Sequence, residues 1–106
     1  MAVHDSLLHE IVRRVLTVAQ PVKIILFGSA ATGQMTRDSD IDLLVVDSKP
    51  KHALQEVVDI RKAIGDVEYP VDVLIIAKDR FEATKDLVGG IAFPAHKYGR
   101  VIYEAA

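Results

Sequence analysis

Cysteine is absent from this sequence. That excludes disulfides, thiolate zinc sites, iron–sulfur clusters and a cysteine nucleophile together. Long apolar runs are missing too, so nothing in the chain reads as a bilayer span. The opening MAVHDSLLHE has neither the basic n-region nor the apolar h-region of a secretory signal, and the expected compartment is the cytoplasm. There is no excess of positive charge: 13 Lys and Arg stand against 15 Asp and Glu, a formal net charge of −2. Direct, sequence-independent DNA binding needs a basic surface, which this balance does not supply. Neither G-x-x-x-x-G-K-[ST] nor G-x-G-x-x-G occurs, which removes the P-loop and Rossmann sites. A small phosphate ligand needs only a local site, so nucleotides remain open.

What is present reads as a globular protein. Of 106 residues, 50% are apolar and 26% charged, the composition and size of one domain spanning 1–106. From Ser6 to Ala19 apolar residues recur at 7, 8, 11, 12, 15, 16 and 19, one face of a helix with Asp5 or Ser6 as cap and Pro21 as stop. Val22–Phe27 reads as a buried strand broken by Gly28, with a short helical turn over Ala30–Gly33 and a polar loop over Gln34–Ser39. Ile41–Val46 is a second strand. Ser48 and Pro50 open a second helix with apolar positions 54, 57, 58 and 64, ending at Gly65. Val71–Ala77 is a third strand. Asp79 and Glu82 have capping-box spacing for a third helix ending near Gly89-Gly90, and a Pro94–Gly99 turn leads to a short strand, Arg100–Tyr103. Two strands in direct succession break a regular βαβ alternation. The expected fold is therefore α/β (α+β), a mixed sheet of three to four strands with helices packed on it.

Three aspartates interrupt this apolar pattern: Asp40 and Asp42 around the second strand, and Asp72 in the third. Ionised carboxylates there are costly unless a cation or several donors meet them. Asp40 and Asp42 are two apart, so a pleated strand points both to one face with Cα atoms roughly 6.5–7 Å apart. If the second and third strands are neighbours, Asp72 joins them. No Lys or Arg lies within these strands, and Mg²⁺, which prefers carboxylate and phosphate oxygens, is the simplest counter-charge. Two such ions would bridge the attacking and leaving oxygens of a phosphoryl displacement.

Gly28-Ser29 follows a buried strand and precedes a helical turn, where a close-approaching backbone and a hydroxyl suit a phosphate. Gly-Ser alone is a weak signal. Together with ten intervening residues and D-x-D, it arises by chance in about one chain of this length in a thousand. The four histidines show no ligand spacing, and Tyr98 and Tyr103 read as packing or tail residues.

The string FGSAATGQMTRDSDIDLLVV followed by VDVLII resembles the minimal nucleotidyltransferases of the DNA polymerase beta superfamily, and the resemblance runs to the closing GRVIYE. It implies a palm-like nucleotidyltransferase core. Gly28 and Ser29 would hold a nucleotide triphosphate, ATP. Asp40 and Asp42 would hold two magnesium ions, and Asp72 would complete the metal site and help activate the attacking hydroxyl. Members of the family often continue G-S-R-x-R-G, whereas Ala30 and Thr32 stand at the arginine positions here. A guanidinium beside a triphosphate fixes its geometry by paired bonds, so nucleotide affinity and rate are at stake. Arg37 or Lys23 are the candidates to compensate.

The assigned elements use nearly all of the residues, leaving the acceptor to be presented by a partner or another copy, in a homo- or hetero-oligomer. Small proteins of this kind are commonly paired with a HEPN-domain ribonuclease toxin. The resemblance thus implies an antitoxin of a type VII toxin–antitoxin pair, one that moves AMP from ATP to a tyrosine of the toxin. Two other readings stand beside it: a non-catalytic module that neutralises its partner by covering it, and nucleotidyl transfer to a small molecule such as an aminoglycoside.

Overall fold

A computed structural model describes residues 3–106. The opening MAVHDSLLHE therefore begins outside the described residues. Among the described residues nine elements follow one another: α1 (Asp5–Val15), β1 (Lys23–Phe27), α2 (Ser29–Thr32), β2 (Ile41–Asp47), α3 (Ala53–Ile64), β3 (Val71–Ala77), α4 (Lys78–Thr84), α5 (Ala92–Tyr98) and β4 (Arg100–Glu104). The strands form one mixed sheet in the order β3-β2-β1-β4. β1 is antiparallel to β2 and to β4, while β2 and β3 run parallel through the α3 crossover. This is the α+β architecture expected from strands in succession.

Alternation along the strands divides the core between the two sheet faces. Ile24, Leu26, Ile41, Leu43, Val45 and Val73 meet α1 and α3 through Leu8, Ile11, Val15, Ile60 and Ile64. Ile25, Leu44, Val46 and Ile76 meet Phe81 of α4 and Ala92 and Ala95 of α5. Each fully buried aliphatic side chain contributes about 1.5–3 kcal/mol. Gly99 closes the α5–β4 corner: a Cβ there would fall 2.7 Å from Ile25 Cγ2 and 2.9 Å from the Leu26 carbonyl oxygen.

Several boundaries differ from the sequence reading. α1 stops at Val15 rather than Ala19, because the Thr17 hydroxyl and amide both donate to the Arg14 carbonyl at 2.6 and 3.1 Å and tighten the last turn. Its cap position is His4, not Asp5 or Ser6, and no side chain caps it. α3 begins at Ala53, and only Val57 and Ile64 of its expected face pack inward. Leu54 is exposed, Val58 is half-exposed, and Ile60 takes the central place. α4 follows β3 with no loop and no side-chain cap, and ends at Thr84. Glu82 pairs with Lys85 at 2.8 Å instead of capping. The segment read as a turn over Pro94–Gly99 is mostly helix, since Pro94 falls in the first turn of α5, where no N–H is needed.

Candidate active site

The C-terminal end of β1 lies against the N-terminal end of β2, with Phe27 opposite Asp42. β3 runs parallel to β2, so its N-terminal end arrives at the same edge, with Asp72 opposite Asp42. Three chain segments that are distant in sequence thus meet at one end of the sheet. Asp42 and Asp72 share a face with Leu44 and Ile76, on the α4–α5 side. Asp72 therefore lies on the same side as Asp42, whereas Asp40 precedes the first residue of β2.

Asp40 is positioned by the loop before β2. Met35 buries its side chain in the core and anchors that loop. The Thr36 amide donates to Ser39 Oγ at 2.9 Å, and the Ser39 amide returns to the Thr36 carbonyl at 3.1 Å. The resulting tight turn delivers Asp40 at the strand entrance, exposed, next to half-buried Asp42.

Asp42 is held above the ordinary carboxylate range, first by burial and then by the charges of Asp72 and Asp40. Among the described residues, no cation offsets these effects. Its electrostatics thus register both other carboxylates, which is independent of the strand register. Among the described residues, no three such side chains form a ready-made metal cage. The donors are nevertheless hard oxygens of the kind Mg²⁺ prefers, and Mg²⁺ usually completes its octahedron with substrate phosphates and water.

Gly28 adds a steric argument. Its φ of 71° and ψ of −153° lie in a region that is essentially restricted to glycine. A Cβ at this position would stand 2.6 Å from Asp42 Oδ2. The backbone must therefore pass the carboxylate without a side chain. Ser29 then opens α2, a single turn in which the Ala31 and Thr32 amides donate to the Gly28 carbonyl at 3.1 and 3.3 Å. Gly28, Ser29, Asp40, Asp42 and Asp72 are brought together.

The two candidate compensating cations fare differently. Lys23 opens β1 opposite Val46, at the other end of the strand from Gly28, and its Nζ lies 5.8 Å from the Phe81 ring centroid. It does not replace the missing arginines. Arg37 is exposed in the loop that leads to Asp40. Two clefts lie apart from the carboxylates. One, of about 410 Å³, follows the α3–β3 connection around Asp66 and Tyr69; the other, of about 640 Å³, lies between the end of α1 and the start of α3. The steric demand at Gly28 had no sequence signal beyond the glycine itself, because it depends on β1 facing β2.

No curated protein matches the chain in sequence. Among solved structures, a Sulfolobus solfataricus protein described as a candidate nucleotidyltransferase superposes with a TM-score of 0.63 at 19% identity, over 94% of this chain and 79% of the other. A structure described as a toxin–antitoxin with AMP-PNP superposes with a TM-score of 0.59 at 17% identity, over 92% of this chain and 73% of the other. At such identities the likeness is one of fold. The family model described as "Nucleotidyltransferase domain" matches residues 7–98, nearly the whole of what has been described above. On that match, the chain belongs to the nucleotidyltransferase domain family.

Proposed function

We propose that this nucleotidyltransferase is Mg²⁺-dependent and moves AMP from ATP to the hydroxyl of a tyrosine on a partner protein. The partner is a HEPN-domain toxin and the chain its antitoxin. The observation that carries the catalytic part is Asp42, a half-buried carboxylate opposite Asp72 across the β2–β3 ladder, raised first by burial and then by Asp72 and Asp40. A site of this kind is relieved by a metal arriving with a phosphate chain. The toxin–antitoxin neighbour with AMP-PNP supports the partner and the adenine nucleotide.

Asp40, Asp42 and Asp72 would hold the metal, which would supply charge neutralisation for the phosphates and for the developing phenoxide. Gly28 and Ser29 would bind the triphosphate by backbone approach and hydroxyl donation. Asp72, exposed at the β3 edge, accepts the phenolic proton. The tyrosine oxygen bonds to the α-phosphorus and the bond from that phosphorus to the bridging oxygen breaks. Pyrophosphate leaves with the electron pair.

The test is to incubate the chain with ATP labelled at the α-phosphate, Mg²⁺ and its co-encoded neighbour. Label is expected on a tyrosine of that neighbour with the wild type and none with Asp42→Ala. Equal labelling by both rejects the reading. Toxin neutralisation that survives Asp40→Ala and Asp42→Ala together selects a covering module instead.

A further inference from the structure

Leu74 is an apolar side chain within a strand, yet it is 46% exposed, on the same sheet face as Asp42 and Asp72. It follows Asp72 by two residues. Across the ladder, Asp72 stands opposite Asp42 and Leu74 opposite Leu44, so a pair of carboxylates is followed at once by a pair of leucines. Leu44 is fully buried, and Ile76, the next residue of β3 on that face, packs with Phe81 of α4. Leu74 is left uncovered between the carboxylates and the roof of helices. A lone exposed leucine is ordinary on a protein surface. This one adjoins the carboxylate assigned to the attacking hydroxyl.

The order of segments across the site sets which substrate reaches it. Gly28-Ser29 follows β1, Asp42 is on β2, and Asp72 and Leu74 are on β3. With strands ordered β3-β2-β1, the triphosphate end lies on one side of Asp42 and Leu74 on the other. Building on the nucleotidyl-transfer reading above, we propose that Leu74 is the specificity-determining platform for the acceptor, selecting a phenolic hydroxyl over an aliphatic one. The hydroxyl meets Asp72 and the ring lies back along β3 on Leu74. Positions two apart on a strand are separated by roughly 6.5–7 Å, comparable to the length of a tyrosine residue from its hydroxyl oxygen to its Cα. Serine has no apolar body to lay there.

The experiment uses the full chain with labelled ATP, Mg²⁺ and two probes, N-acetyltyrosinamide and N-acetylserinamide, comparing wild type, Leu74→Asn and Leu74→Met. Wild type is expected to prefer the tyrosine probe. Leu74→Asn should lower kcat/KM for that probe about tenfold, through KM, with serine transfer and MgATP affinity unchanged. Leu74→Met should restore the preference. A wild type that binds MgATP without preferring tyrosine, or a preference that survives Leu74→Asn, overturns the proposal. So does weakened MgATP binding by Leu74→Asn, which would give the leucine to the nucleotide. Absent MgATP binding by the wild type, or transfer that Asp42→Ala leaves intact, would instead overturn the nucleotidyl-transfer reading, and this proposal with it.

Discussion

Strand β2 has an aspartate near each end, and the two ends differ in how their negative charge is balanced. Asp42 is raised by burial, Asp72 and Asp40, with nothing in opposition. At the far end, Asp47 faces Glu56, which is raised by burial and by its contact with Asp47, while His52 pulls the other way. Lys49, Lys51 and His52 line the same cleft as Asp47, Glu56 and Asp59. An acidic cluster furnished with cations from its own chain is a solvated surface. One without them is where the reading proposed above places a cation from solution. Glycine marks the same contrast, since only the Asp42 end has a backbone neighbour whose missing side chain leaves the carboxylate clear.

The largest expected effect separates the ends by chemistry. Asp42→Asn should reduce nucleotidyl transfer by at least ~10²-fold, whereas Asp47→Asn should leave it unchanged, measured as label transferred per minute. Equal loss from both would erase the distinction. Next comes Gly28→Ala. The new methyl meets Asp42 Oδ2 in a backbone region closed to alanine, and should cost about 1–3 kcal/mol in denaturant unfolding together with MgATP binding.

A smaller effect concerns pH. A carboxyl whose pKa is raised by folding carries more protons folded than unfolded within the window between the two values. The stability it costs therefore appears as pH rises through that window. Without metal at neutral pH, Asp42→Asn should unfold roughly 2–4 °C higher than wild type, with the gain disappearing in acid below the ordinary carboxylate range. MgATP should then raise the wild-type midpoint and not that of the variant, because only a ligand that binds the folded state shifts it. Glu56→Gln is the smallest perturbation: a slight rise in midpoint at neutral pH, lost in acid, with transfer rate unaffected.

How much of this was legible in the sequence depends on range. D-x-D on a strand is a period-2 statement, and Asp40 and Asp42 needed nothing beyond their own segment. Gly28-Ser29 at a strand end was equally local. Asp72 was legible only as a condition, because its meeting with Asp42 rests on parallel pairing across α3, which strand patterns do not reveal. α5 was missed because Pro94 and Gly99 read as turn residues, although proline is tolerated in a first helical turn. Lys23 was a reasonable counter-charge by composition and is excluded by register alone. The half-open position of Leu74 had no sequence signal, because Leu74 sits in an apolar strand pattern that reads as buried throughout.

The crossover through α3 makes assembly of the acidic trio depend on a single long-range strand pairing. During synthesis, residues up to the second strand contain the glycine, the serine and two of the acids, yet the last acid emerges about thirty positions later. It takes its place only when the returning strand zips alongside its neighbour in register. A nascent or clipped polypeptide that ends within the connecting helix would carry two of the acids without the third, so the trio is complete only once the returning strand has docked.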